Sequence, residues 1–107
     1  MSDIPKLTEA LFDAEVLKSP IPVIVDFTAT WCGPCKMLDP VVTQLSLDWE
    51  GKAKFFKLDV DDNSHITMRY GVMGVPTLIL FVSGEPAQRL SGYQPKERII
   101  SKFGAYI

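Results

Sequence analysis

The only two cysteines of the chain, Cys32 and Cys35, are separated by Gly33 and Pro34. A thiol pair at this spacing suits thiol–disulfide exchange, in which one sulfur attacks and the other resolves. A structural staple is a poor alternative, because a bridge over so short a loop constrains the unfolded chain very little. A four-ligand protein zinc site is implausible from two cysteines and the single His65, which itself falls on an exposed helical stretch. Attachment of a c-type haem needs histidine directly after the second cysteine, and Lys36 stands there.

The flanking residues place this pair at a strand-to-helix turn. Val23 to Phe27 is a short apolar run rich in β-branched residues and predicts a buried strand. Beyond the pair, Met37, Leu38, Val41, Val42, Leu45 and Trp49 recur at helical spacing. Pro34 has no N–H to lose and a helical φ, which suits the first helical position. Cys32 then sits at or beside the N-cap, facing unpaired N–H groups and the positive end of the helix dipole. Both favour thiolate, so Cys32 is the expected nucleophile with a lowered pKa. Cys35, one turn later, is expected to be more buried and to resolve.

Length and composition bound the rest. A chain of 107 residues, 47% hydrophobic, predicts one globular domain over 1–107 with its own core. A net charge of −2 gives no basic field for nucleic acid or anionic lipid. The start of the sequence carries no apolar stretch resembling a signal peptide, and the purely apolar run Leu78 to Val82 cannot span a bilayer. The expectation is a cytoplasmic monomer without membrane or nucleic-acid partners, where paired cysteines are catalytic rather than structural.

Along the chain, Ile4 to Leu7 suggests a short edge strand. A helix from Thr8, acting as N-cap, to about Lys18 follows, with Leu11, Phe12, Val16 and Leu17 as its buried face and Leu7 and Phe12 as a hydrophobic staple. The helix after the cysteines should run from Pro34 to about Trp49, stopped by Gly51 and kinked near Lys36 to Pro40. Strands are expected over Ala53 to Val60, Thr77 to Val82 and Gln88 to Ser91, the last two joined by a Ser83-Gly84 turn. Asn63 can cap a short helix that Gly71 ends, and Pro95 opens a final helix with Ile99, Ile100, Phe103 and Ile107 as its apolar stripe. This order predicts an α/β fold, a mixed central sheet of about five strands flanked by four helices.

Trp31-Cys32-Gly33-Pro34-Cys35-Lys36 resembles the active site of the thioredoxin family. The similarity extends over essentially the whole chain through Asp26-Phe27, Pro40, Lys57, Val75-Pro76-Thr77, Gly84 and Gly92. The resemblance implies the thioredoxin fold and a protein-disulfide reductase with no bound cofactor. Its electrons would come from NADPH through a flavin-containing thioredoxin reductase, and its substrates would be disulfide-containing proteins. Alternatives are a disulfide oxidant or isomerase of the same fold and a redox-switched binding module. The Gly-Pro dipeptide resembles that of reducing members.

The resemblance also assigns residues. Asp26 interrupts an apolar strand, where a carboxylate is either at an exposed strand end or buried and costly unless partnered or protonated. The family uses this position as a base that takes the proton of Cys35, with Lys57 on the next strand offsetting part of its charge. Gly33 and Pro34 would tune the dithiol. Pro76 would be a cis-proline facing the cysteines. With Trp31, Gly33, Pro34, Gly74 and Gly92 it would form a flat, small-residue apolar surface on which a substrate strand pairs with the backbone of Val75. Thr28 departs from the family, which commonly has tryptophan there. That places the redox potential and the fit around the cysteines outside what the resemblance specifies.

Overall fold

Residues 4–107 are described in the computed structural model of the chain. Its sheet grows from alternation. In β1 (Val23–Thr28) Val23, Val25 and Phe27 point to one face and Ile24 and Asp26 to the other. β2 (Lys54–Asp59) runs parallel to β1, in a register that sets Asp26 opposite Lys57. β3 (Thr77–Val82) pairs antiparallel with the other side of β1, and β4 (Glu85–Ser91) pairs antiparallel with β3. The spatial order is therefore β2-β1-β3-β4, a mixed sheet.

Two helices cover each face. The face bearing Ile24, Phe55, Leu78 and Leu80 packs on Leu38, Val42 and Leu45 of α2 (Gly33–Asp48), and on Ile99 and Phe103 of α4 (Lys96–Phe103). The opposite face packs on Phe12 and Val16 and on Ile66 of α3 (Ser64–Arg69). Phe12 closes α1 (Glu9–Phe12), and Val16 lies in the π-helical turn Asp13–Leu17 that continues it. Leu7 joins the same cluster as Phe12, as a staple requires.

The structure corrects several expectations. The sheet has four strands, because Ile4 to Leu7 contributes a single bridge at Lys6 to Lys57. Leu7 N–H donates to the Lys57 carbonyl and Lys57 N–H to the Pro5 carbonyl, while Pro5 has no N–H to give and helical residues begin at Glu9. Leu11 and Ile100 are exposed, at 45% and 42%, because each lies on the solvent side of an amphipathic helix whose neighbours fill the core. β4 starts at Glu85 rather than Gln88, tolerating Pro86 on the sheet edge. Pro40 stands within α2, which runs unbroken from Gly33 to Asp48.

Capping also differs from expectation. Neither Thr8 nor Asn63 caps its own helix with its side chain. The two helices exchange caps instead: Glu9 Oε2 accepts from His65 N–H at 2.7 Å and Ile66 N–H at 3.2 Å, while Asn63 Oδ1 accepts from Glu9 N–H at 3.1 Å. A carboxylate at the start of α3 also meets the positive end of its dipole. Glu9→Ala is expected to cost about 0.5–2 kcal/mol, the range for loss of a cap. Amide hydrogen exchange should speed up at His65 and Ile66 first, and unchanged protection there would refute the exchanged cap.

The β3–β4 turn is a two-residue connection with Ser83 at φ 53° and Gly84 at φ 80°, the left-handed pair of a type I′ hairpin. A Cβ on Gly84 would lie 2.8 Å from the carbonyl oxygen of Leu17, whereas one on Gly51, at the same φ, would meet nothing within 4 Å. Both Gly84→Ala and Gly51→Ala carry backbone strain of about 1–3 kcal/mol. Gly84→Ala should lose clearly more in a denaturant melt, because two backbone segments must also move apart. Equal losses would show that the approach to Leu17 is not a tight contact.

Candidate active site

The turn between β1 and α2 places the cysteines. Cys32 N–H donates to the Ala29 carbonyl at 3.3 Å, and Cys32 itself, with extended φ −98° and ψ 112°, is the N-cap of α2. Gly33 is the first helical residue and Pro34 the second, one place later than expected. The cause is the extended backbone of Cys32, and Pro34 still falls among the four residues whose N–H groups have no helical partner. The N–H of Cys35 donates to Cys32 Sγ at 3.2 Å, so the Cys32 sulfur fills the role a serine or aspartate oxygen has at other helix starts. Cys32 and Cys35 are joined as a disulfide, with Cα atoms 5.3 Å apart.

The expected difference in burial between the two sulfur residues is absent. Cys32 is 4% exposed and Cys35 5%. Cys32 is covered because the segment before β3 lies over it, with the Val75 carbonyl oxygen 3.7 Å from its sulfur. What separates the two cysteines is position on the helix and the N–H that only Cys32 receives.

The loop facing them is tied by short bonds. The Val75–Pro76 peptide is cis. Thr77 Oγ1 donates to the Gly74 carbonyl at 2.7 Å, and Gly92 N–H donates to the Pro76 carbonyl at 2.7 Å. Gly74, Val75, Pro76 and Gly92 are thus brought together, with Pro76 buried and Gly74 exposed. Trp31 lies at the other side of the cysteines, 69% exposed, its indole N–H held by Asp61 Oδ2 at 2.9 Å. Asp61 was not distinguished in the sequence, since an acidic residue in the run Asp59 to Asp62 has no pattern that marks one of them as a tryptophan partner.

Beneath the site, the alternation of β1 and β2 sends Asp26 and Lys57 to the face that α2 covers. Asp26 is 1% exposed, and its Oδ1 has no hydrogen-bond partner among the described residues. Burial pushes its carboxyl up to about 7, against the lowering effect of the Lys57 charge and with a further push from Asp39. The Lys57 ammonium itself pairs with Asp39 of α2, Nζ to Oδ1 at 2.6 Å. Asp39 is a residue that sequence reasoning missed. It lies on a helix flank, and only the packing of α2 over β2 makes it a neighbour of Lys57.

A cleft of about 630 Å³ opens beside these groups, between the N-terminal segment, the β1–α2 turn and the ends of β2 and α3. Cys35, Lys36, Thr28 and the Lys57–Asp39 pair are among its walls. Among the described residues, no group of three or more His, Cys, Asp or Glu comes together as a metal centre would require, and no helix is long and apolar enough to cross a membrane.

Comparison with known proteins agrees with this geometry. A family model described as Thioredoxin matches residues 3–105. The thioredoxins of Staphylococcus aureus strains Mu50 and N315 are each 51% identical to the chain over 96 residues, which is 90% of this chain and 90% of each relative. The match spans the N-cap cysteine, the facing cis-proline loop and all four strands, so the likeness belongs to the whole fold and not to a short motif. By sequence and by architecture, the chain belongs to the thioredoxin family of thiol–disulfide oxidoreductases.

Proposed function

We propose that this protein-disulfide reductase works with Cys32 as nucleophile and Cys35 as resolving thiol. The observation that carries the assignment is the 3.2 Å bond from Cys35 N–H to Cys32 Sγ at the start of α2. A donor aimed at one sulfur from a helix N-terminus favours thiolate there over the other. The Cys32 thiolate attacks a substrate disulfide, forming a mixed disulfide and expelling one substrate sulfur. Cys35 then gives up its proton and attacks Cys32 Sγ, releasing the second substrate thiol and closing the Cys32–Cys35 disulfide.

Asp26 is the proposed acceptor of the Cys35 proton. A carboxyl held near 7 is half ionised at neutral pH, the condition under which one group both takes and returns a proton efficiently. Lys57 acts on Asp26 through its charge while bound to Asp39. Gly33 and Pro34 set the helix start and so tune the dithiol. Exposed Trp31 and Gly74, with Val75, Pro76 and Gly92, form the surface on which an extended substrate segment lies, pairing with the Val75 backbone. Electrons reach the disulfide from NADPH through a thioredoxin reductase, and the chain acts as a cytoplasmic monomer.

The test is turbidimetric reduction of insulin with dithiothreitol as electron source. Catalysed precipitation is the expected result. Absence of turnover by a folded protein would favour a redox-switched binding module, and a potential in the range of oxidising relatives would favour an oxidant or isomerase.

A further inference from the structure

Lys57 is neighbour to two carboxylates and bonds to only one of them. The parallel register sets it directly opposite Asp26 on the adjoining strand. Its ammonium nevertheless goes to Asp39 Oδ1, at 2.6 Å. Asp26 takes part in no ion pair among the described residues, and its buried Oδ1 has no hydrogen-bond partner there. Asp39 can reach Lys57 because α2 lies over the side of the sheet to which β1 and β2 send these two residues. It follows Cys35 by four positions, so the resolving sulfur and the carboxylate share one helix face. Cys35, Asp39 and Lys57 all stand in the walls of the same cleft.

The choice of partner matters because it decides how basic a carboxylate is. An ammonium bonded directly to Asp26 would hold it as a stable anion, which is a poor base. With Lys57 turned to Asp39, burial remains the dominant influence on Asp26, and the Asp39 charge adds to it. Asp26, Lys57 and Asp39 together carry one negative charge when Asp26 is ionised and none when it is protonated, so accepting a proton neutralises the group. The other elements packed on this side bring no competing charge. β3 sets Leu78 opposite Asp26, and α4 contributes Ile99 and Phe103. Lys6, Glu9, Lys36, Asp59 and Asp62 also line the cleft, but the charges that act on Asp26 are those of Lys57 and Asp39.

We propose that Asp39 is a positioning residue for proton transfer: by holding the Lys57 ammonium on α2, it keeps Asp26 free to take the Cys35 proton. This rests on the base role of Asp26 proposed above. In the step it serves, the proton passes from Cys35 Sγ to the Asp26 carboxylate. The electron pair left on that sulfur attacks Cys32 Sγ, the Cys32–Cys35 bond forms, and the substrate sulfur leaves as its thiolate.

Asp39→Asn keeps the shape of this half-buried side chain and removes its charge, which releases Lys57 to pair with Asp26. The Asp26 carboxyl, followed by carbon-13 NMR in the disulfide form, should then titrate lower by about one pH unit or more. The acid limb of insulin turnover should move down with it. Above pH 8 the rate should fall roughly several-fold, because Asp26 has become a weaker base. Asp39→Glu keeps an anion for Lys57 and should restore most of both. In a Lys57→Gln background there is no ammonium to release, so Asp39→Asn should move the Asp26 titration by less than roughly half as much. A titration that Asp39→Asn leaves in place, or moves equally without Lys57, would overturn the role of Asp39 and leave the base role of Asp26 standing. Insulin turnover unaffected by Asp26→Ala would overturn the base role itself, and the proposal with it.

Discussion

Cys32→Ser is expected to abolish insulin reduction, and Cys35→Ser to trap substrate covalently. The first variant removes the sulfur that receives the Cys35 N–H at the helix N-cap. Serine keeps the cap but has no accessible anion at neutral pH, so turnover should fall by at least about 10³-fold, the scale on which loss of a covalent nucleophile acts. Cys35→Ser keeps Cys32 and its N–H donor, because that donor is backbone. Attack therefore proceeds and resolution does not. A mixed disulfide between Cys32 and one substrate thiol should accumulate to near one per protein, visible on a non-reducing gel and removed by dithiothreitol. Because both residues are almost fully buried in the disulfide form, simple exposure does not predict this asymmetry. Mixed disulfides that accumulate equally on either remaining cysteine would show that the N–H donor and the helix start do not decide the order of attack.

How much of this was legible in the sequence depends on the range of the interaction. The four main strands and the helix after the cysteines follow from local rules. Alternation at Lys54 to Asp59 and helical spacing at Leu38, Val42 and Leu45 each put the right side chains into the core. The Ile4 to Leu7 segment shows where local rules stop. Its pattern suits a strand, but Pro5 and the nearby helix leave room for one bridge. The exchanged caps of Glu9 and Asn63 join residues more than fifty positions apart, and no local pattern marks them. The same holds at the site. Cys32, Cys35 and the Val75-Pro76 segment are marked by their motifs, whereas Asp39 and Asp61 acquire roles only when α2 packs over β2 and Trp31 turns towards the β2–α3 loop. Thr28 was visible as a departure, and in the structure it stands in the wall of the cleft.

Asp26→Ala is expected to stabilise the protein at neutral and alkaline pH while slowing its chemistry. The carboxyl titrates near 3.8 in the unfolded chain and at about 7 in the folded one, chiefly because burial penalises its charge. Below about pH 4 both states are protonated and the group has no effect on stability. Between about 4 and 7 the unfolded chain has released a proton that the native state still holds, so native stability falls as pH rises. Above 7 both states are ionised and the full loss is present, about 4 kcal/mol for a shift from 3.8 to about 7 at roughly 1.4 kcal/mol per unit. Alanine removes that loss and leaves a small cavity, whose cost offsets part of the gain. The variant should therefore gain about 2–4 kcal/mol over wild type at pH 8 and gain nothing at pH 4, with the difference growing across that window. Turnover should fall at the same time, by about 10²-fold at the resolving step, because Cys35 loses the group that takes its proton. Paired denaturant melts and insulin assays from pH 4 to 9 measure both. A stability difference that is flat across that range would mean that Asp26 does not titrate as its burial requires. Unchanged turnover would mean that the proton of Cys35 leaves by another route, and the Lys57–Asp39 pair in the wall of the cleft would be the next place to look.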